Sequence, residues 1–299
     1  VFNFNTNYKT DKINFITGVS YSNYTGDHFG EVIWGKEFSN DANIRDRYYF
    51  SDAKKTDLSI FAKATFSINE KLSAYADLQG RFVGYQTQGI TNDIVPIDVD
   101  QNFNFFNPKF GFTYNINQNN NLYTSFAVAN REPNRNDFEN GVSTPESLND
   151  FEFGWRLNNG KIKLNTNIYY MDYKDQLVLT GALDDVGQPI RTTSGSSYRL
   201  GLEIDADIRF SDKFSIKPNA AFSSNKNRDF FIVRDGNPTP QPLGNTDLSF
   251  SPDIIVGNMF VYNPLDNLQV TFLSKFVGQQ FMSNFSSAVS DNDVLDSFF

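Results

Sequence analysis

The chain has 299 residues, of which 39% are hydrophobic and 16% aromatic, with 31 Phe and 14 Tyr. It contains no run of about 18 apolar residues, which excludes a transmembrane helix but not the half-polar strands of a membrane barrel. The chain has no cysteine, which excludes disulfides and thiolate metal sites, and its single histidine, His28, cannot form a metal cluster alone. The net charge of −9 disfavours nucleic acid as a partner. We therefore predict no catalytic constellation, no metal site and no cofactor.

The predicted elements are almost entirely strands. Twelve are expected, at residues 1–9, 13–25, 55–68, 72–86, 103–116, 121–130, 150–158, 161–179, 197–210, 214–226, 248–263 and 268–282. Short turns rich in Asn, Asp, Gly and Pro alternate with long polar loops, which are predicted at 26–54, 87–102, 131–149, 180–196 and 227–247. Strict alternation of short and long connections is typical of a transmembrane β-barrel, with short turns in the periplasm and long loops outside.

Each clear strand has one apolar and one polar face. In 198–210 the even positions are apolar or aromatic, whereas the odd positions are glycine or charged. This pattern predicts lipid on one side and a wet interior on the other. The polar residues predicted to face the lumen are Asp77, Gln79, Arg81, Glu152, Arg156, Glu203, Asp205, Asp207 and Arg209. A simpler reading is that these charges only pair with one another across neighbouring strands.

Several segments resemble TonB-dependent outer-membrane receptors, in the variant common among Bacteroidetes. They are residues 121–138 (NLYTSFAVANREPNRNDF), residues 197–203 (SYRLGLE), and the motif formed by Pro145, Glu146, Leu148, Glu152 and Gly154. The resemblance extends over essentially the whole chain and implies a 22-stranded barrel closed by an N-terminal plug.

The resemblance also bears on domain organisation. At roughly 25 residues per strand, a full barrel needs on the order of 550 residues. We therefore expect residues 1–299 to be a single barrel domain that contains about twelve of the 22 strands implied by the resemblance, with the plug and closing strands missing. Residues 296–299 look like the start of another strand.

The implied function is energy-coupled uptake of a scarce nutrient across the bacterial outer membrane, with a ferric siderophore or similar iron complex as the leading ligand. The expected partners are outer-membrane lipid, a small-molecule metal chelate and, through the missing plug, the TonB complex. Stacking and charged hydrogen bonds to such a ligand are expected from loop residues, namely Trp34, Arg47, Tyr48, Tyr49, Arg131, Arg135, Phe230, Phe231 and Arg234.

Other functions remain open at this point. Cobalamin, haem and glycans remain open as alternative ligands. The barrel could be a passive porin, or an enzyme whose only available histidine is His28. A soluble all-β binding module is a further possibility.

Overall fold

The structure is a computed structural model that describes residues 1–37, 43–183, 187, 189–234, 237–285, 288 and 294–299; for residues 180–183, 189, 232–234 and 237–240 it describes only the backbone. No helix in these ranges is long and apolar enough to cross a membrane. Twelve strands pair one after another in a single antiparallel sheet, and one extra strand and a separate hairpin lie off this path. They are β1 (Phe2–Lys9), β2 (Ile13–Glu31), β3 (Arg47–Ser67), β4 (Leu72–Ile90), β5 (Pro96–Asn117), β6 (Asn120–Arg131), β7 (Glu146–Asn158), β8 (Ile162–Lys174), β11 (Ser196–Arg209), β12 (Phe214–Arg234), β14 (Ile254–Leu265) and β15 (Leu268–Val277).

The remaining elements lie at the end of the sheet where the long connections are. They are helix α1 (Arg135–Glu139), the hairpin of β9 (Leu177–Leu183) with β10 (Pro189–Thr193), strand β13 (Asn237–Asp247), which pairs with β12, and the small pair β16 (Gln280–Phe281) and β17 (Val294–Leu295). The prediction of an antiparallel sheet of twelve main strands is confirmed.

The short turns form for a local reason. The side chain of Asn69 accepts hydrogen bonds from the backbone N–H groups of Lys71 and Leu72, both at 2.9 Å. Asn159 does the same for Lys161 and Ile162, at 3.1 and 2.8 Å. Such side-chain turns replace backbone pairing where the chain reverses, and so fix the register of each hairpin.

The long loops are shorter than predicted. The loop expected at 87–102 is reduced to five residues because β4 continues to Ile90 and β5 begins at Pro96. Residues 26–31, 47–54 and 227–234 are likewise strand, and the strand expected at 161–179 is divided into β8 and β9. These extensions are polar on one face and therefore resemble loops in sequence, but cross-strand pairing satisfies their backbone groups.

The apolar face of the sheet is uncovered. Phe151, Phe153, Ile168 and Leu200 are 49, 50, 50 and 45% exposed, although they lie close together on one face of three paired strands, β7, β8 and β11. A continuous apolar surface of this kind requires a non-aqueous neighbour. We call this the outer face, and the opposite, polar side the inner face.

The two faces exchange polarity part of the way along the strands. In β4 the outer face is apolar as far as Phe82 and carries exposed Gln86 and Gln88 above it, while Val83 and Tyr85 are buried on the inner face. Strand β5 shows the same change between the inner Phe105, which is buried, and the outer Phe106, which is 59% exposed. The level of Leu58 and Phe82 therefore marks the outer edge of the lipid-facing band, and everything beyond it lies outside the membrane.

The two ends of the sheet are different from its middle. Within the described residues, β1 pairs only with β2. At the opposite end, Phe298 exchanges two backbone hydrogen bonds of 3.0 Å with Val277 of β15. The residues around Phe298 thus begin to extend the sheet beyond β15, in agreement with the expectation of another strand there.

Candidate functional site: an extracellular cavity at helix α1

The connection between β6 and β7 folds against the inner face. Asn134 caps helix α1: its side chain accepts a hydrogen bond from the backbone N–H of Asp137 at 3.0 Å, and the Asp137 carboxylate accepts one from the N–H of Asn134 at 2.8 Å. This reciprocal capping box stabilises a helix of only one turn. The cap fixes which side chains of α1 point at the sheet.

Glu132, just before α1, is held in an ionic network at the level of the membrane edge. Its carboxylate accepts hydrogen bonds from both terminal nitrogens of Arg81, at 2.7 and 2.8 Å, and from the Lys55 ammonium at 2.7 Å. Arg81 also donates to Asp57 at 2.6 and 3.0 Å. These bonds secure the connection to β3 and β4.

The network changes the acidity of Glu132. Burial, the largest single influence, favours the neutral acid, but the hydrogen bonds from Arg81 and Lys55 outweigh it and lower the pKa of Glu132 to about 2. The Glu132 side chain is 6% exposed, so its charge depends on these partners rather than on water.

Helix α1 is packed on the sheet by Phe138 and Arg135. The Phe138 ring stacks on Tyr85, with centroids 5.3 Å apart, and lies 6.5 Å from the ring of Phe103. The Arg135 guanidinium donates to the hydroxyls of Ser51 and Thr87 at 2.7 and 3.1 Å. These contacts explain why the inner face becomes apolar above the membrane edge: α1 covers it.

A further contact joins α1 to the β9–β10 hairpin. Asp137 is buried, and its carboxylate lies 3.0 Å from Nε of Arg191 in β10. Helix α1 therefore connects the wall formed by β3, β4 and β5 with a hairpin that leaves the sheet after β8.

A cavity of about 570 Å³ opens beside α1, between the helix and the outer ends of β2 and β3. Ser51, at this level, is seven residues beyond Leu58 along β3, which places the cavity about 20 Å above the membrane edge. It is lined by His28, Tyr48, Tyr49, Asn92, Asn134, Arg135, Asn136 and Glu139.

Gly30 allows the two tyrosines to approach each other. A Cβ at Gly30 would lie 2.4 Å from ring carbons of both Tyr48 and Tyr49, and the rings meet edge to face at 5.1 Å. The pairing of β2 with β3 shifts by one residue at this point, between Gly30 and Glu31. Such a bulge changes the direction of side chains that would otherwise alternate between faces.

His28 and Glu139 complete the polar lining of the cavity. Partial burial and the nearby Arg135 lower the pKa of His28 below its usual value, so the imidazole is neutral near pH 7. Glu139 lies 2.7 Å from Nε of Arg135 and is mostly buried. Each of the three guanidinium nitrogens of Arg135 therefore has a protein partner.

A second cavity, of about 650 Å³, lies lower on the inner face, within the membrane-spanning part of β6 to β12. Four of the predicted lumen residues line it, namely Glu152, Arg156, Glu203 and Asp205. Arg156 lies over the ring of Tyr123 at 4.1 Å, and Tyr123 donates to Asn167 at 3.0 Å.

The other predicted lumen residues occupy the same inner face with varied partners. Asp207 lies 3.5 Å from Lys217. Gln79 accepts a hydrogen bond from Asn107 at 3.0 Å, and Asp77 stands between Lys63 and Lys109 in the register. Arg81 belongs to the Glu132 network, and Arg209 is exposed at the end of β11 near the short turn.

The predicted ligand residues do not form one group. Of the nine, the cavity beside α1 brings together Tyr48, Tyr49 and Arg135. Trp34 is 77% exposed and lies outside this lining. Arg47 lies over Phe29 at 4.1 Å, and Phe29 is on the opposite face from His28.

The candidates from the later loops serve other contacts. Arg131 pairs with Glu146 at 3.1 Å. Phe230 is 5% exposed, because it packs with Val178 and Leu248 beneath the β9–β10 hairpin, whereas Phe231 is 53% exposed. The side chain of Arg234 lies outside the described residues.

Several residues that build the site were not predicted from the sequence, including Glu132, Asp137 and Glu139. The spacing of Asn134 and Asp137 was a usable signal, because Asn followed three residues later by an acidic residue is a helix start. No comparable signal marked Glu132, whose partners are 51 and 77 residues away in sequence.

These features are those of a membrane-spanning β-barrel wall with a polar interior and a folded vestibule beyond the membrane edge. Comparison with known proteins names the family. Residues 1–298 match the family described as "TonB dependent receptor-like, beta-barrel", and the chain belongs to it. This family resides in the bacterial outer membrane and consists of transporters rather than enzymes.

Solved structures support the fold at low sequence identity. The chain resembles the ferric-catecholate import receptor Fiu of E. coli K12 (16% identity, TM-score 0.70), the siderophore receptor PiuA of Acinetobacter baumannii (14%, 0.72) and the copper transporter OprC (14%, 0.74). In each case 99% of this chain is covered, and it spans 46, 48 and 46% of the solved chain, about half. A comparison with curated proteins finds no match.

Proposed function

We propose that the protein takes up a scarce nutrient across the outer membrane by the TonB-dependent route, with a ferric siderophore or similar iron complex as its ligand. The observation that carries this proposal is the cavity beside α1, which presents aromatic and polar groups to the outside of the cell. Aromatic rings with hydrogen-bond donors suit flat or anionic chelates. The solved structures that resemble the chain include receptors and transporters of ferric complexes and metals.

We also propose that residues 1–299 form part of a larger barrel domain, whose remaining strands and plug belong to the full protein. Two features support this: β1 has a free edge among the described residues, and the chain spans about half of each similar solved chain. The inner-face cavity lined by Glu152, Arg156 and Glu203 would then face the plug. Energy would come from the TonB complex acting on that plug.

Growth and conductance experiments test the proposal. A deletion strain should grow poorly when a single ferric siderophore is the iron source, and the full-length gene should restore growth for at least one of them. The full-length protein in a planar bilayer should show no steady conductance, because a plugged barrel is closed. A large steady conductance together with normal growth on every iron source would instead indicate a passive porin.

A further inference from the structure

The cavity beside α1 is lined by charges that cancel each other. Among the described residues of its lining, Arg135 is the only cation and Glu139 the only carboxylate, and the two lie 2.7 Å apart. The other two nitrogens of the Arg135 guanidinium donate to Ser51 and Thr87. The His28 imidazole adds no charge near pH 7, because burial and Arg135 lower its pKa. The lining is therefore polar but has no net charge.

The same balance of charge is found on the other sides of α1. Three further cations lie at most 3.0 Å from a carboxylate oxygen, in the pairs Lys55–Glu132, Arg81–Asp57, Arg81–Glu132 and Arg191–Asp137. Three carboxylates thus face three cations around the helix. An incoming anion would have to compete for each of these cations with a carboxylate that is already in place.

The groups that the lining offers to a ligand are neutral. The rings of Tyr48 and Tyr49 meet edge to face at 5.1 Å, and the side-chain amides of Asn92, Asn134 and Asn136 line the same space. Aromatic rings contact the apolar parts of a ligand, while phenol and amide groups donate and accept hydrogen bonds without requiring charge. Such a lining suits a ligand that is rich in oxygen atoms but electrically neutral.

Ferric chelates differ in charge according to their donor groups. Three hydroxamates supply one negative charge each and cancel the charge of Fe³⁺, whereas three catecholates supply two each and leave a strongly anionic complex. Transfer of this anion from water into the cavity would remove its hydration without giving it an uncompensated cation. A neutral complex does not bear this cost, so the lining should discriminate between iron complexes by their charge.

We propose that the cavity beside α1 selects electrically neutral ferric chelates of the hydroxamate class over anionic ones, and that Glu139 sets this preference by neutralising Arg135. The inference rests on the proposed function and names the charge class of its substrate. The chelate binds intact, so no bond to the iron is formed or broken in the cavity.

Growth on defined iron sources is the first test. A deletion strain that carries the full-length gene should use at least one neutral ferric trihydroxamate, such as ferrichrome, as its only iron source, and should fail to do so without the gene. Ferrichrome A has the same iron core but three additional carboxylates, and growth on it or on ferric enterobactin, a tris-catecholate, should not depend on the gene.

The growth results separate this inference from the proposed function. Gene-dependent growth on anionic chelates alone, or on neutral and anionic chelates equally, overturns the selection by charge and leaves iron uptake standing. If growth on no ferric chelate depends on the gene, the uptake proposal itself fails.

Charge variants of the cavity are the second test, by fluorescence titration of the full-length protein in detergent with ferrichrome and ferrichrome A. Glu139→Gln leaves the charge of Arg135 uncompensated and should raise the affinity for ferrichrome A relative to ferrichrome about tenfold. Asn92→Lys adds a cation to the lining without altering the Arg135–Glu139 pair, so it should shift this ratio in the same direction even if Glu139→Gln displaces the helix.

Glu70→Gln is the matched control, because it makes the same change of charge in the exposed short turn between β3 and β4 and should leave the ratio unchanged. The inference is overturned if the parent protein binds ferrichrome A as tightly as ferrichrome, or if Asn92→Lys leaves the ratio of the two affinities unchanged. A shift with Asn92→Lys but not with Glu139→Gln would refute the role assigned to Glu139.

Discussion

Replacement of Glu132 by Gln offers a quantitative test of how the β6–β7 connection is held. The pKa of Glu132 is lowered from 4.5 to about 2, and at 1.36 kcal/mol per unit this corresponds to about 3 kcal/mol of stabilisation. The Glu132 side chain is almost fully buried, so solvent screens little of this electrostatic stabilisation. Glu132→Gln also leaves part of the positive charge of Arg81 and Lys55 without its partner.

The pH dependence has a definite sign. Because the folded pKa lies below the unfolded one, the stabilisation is fully present above about pH 4.5. It is lost as the pH falls through this value toward 2. At pH 7 the variant should therefore be less stable by about 3 kcal/mol, whereas near pH 2 the two proteins should be similar.

The assay is urea unfolding of the full-length protein in lipid vesicles at a series of pH values. Glu70→Gln is the matched control, because Glu70 is exposed in the short turn between β3 and β4. Equal unfolding midpoints for Glu132→Gln and the parent at pH 7 would refute the reasoning. So would a difference that does not shrink between pH 5 and pH 2.

Three further perturbations address other parts of the molecule. Phe138→Ala should lower the stability of the packed α1 region by about 3 kcal/mol, because it opens a void beneath the helix. Amide exchange should become faster in residues 134–142, whereas exchange in β7 and β8 should be unchanged. Gly30→Ala should displace the tyrosine rings and weaken ligand binding, because its Cβ would lie 2.4 Å from both; an unchanged affinity would contradict the cavity as the binding site. Ile168→Arg on the outer face should lower the free energy of unfolding in lipid vesicles by about 2–4 kcal/mol, whereas Asn165→Arg on the inner face should leave it nearly unchanged.

The residue pattern was sufficient to predict the sheet and the lipid that its apolar face contacts. Alternation of apolar and polar residues depends only on the period of a strand, so twelve strands with one lipid-facing side could be predicted without knowing their neighbours. The short turns were equally local, because Asn69 and Asn159 bond to backbone groups within three residues of themselves. The likeness to the Bacteroidetes variant of the family stays a prediction.

The position of the membrane edge and the residues that form the cavity became known from the folded structure, because both depend on long-range contacts. In β5 the apolar residues lie on the inner face up to Phe105 and on the outer face from Phe106 onward. This change of face interrupts the alternation, so the part of β5 outside the membrane resembled a loop in sequence. Its inner face is apolar because Phe138 and its helix pack there, a contact that no local pattern encodes. Glu132 and Arg135 likewise owe their surroundings to strands 50 to 85 residues away, since long-range packing assigns their partners.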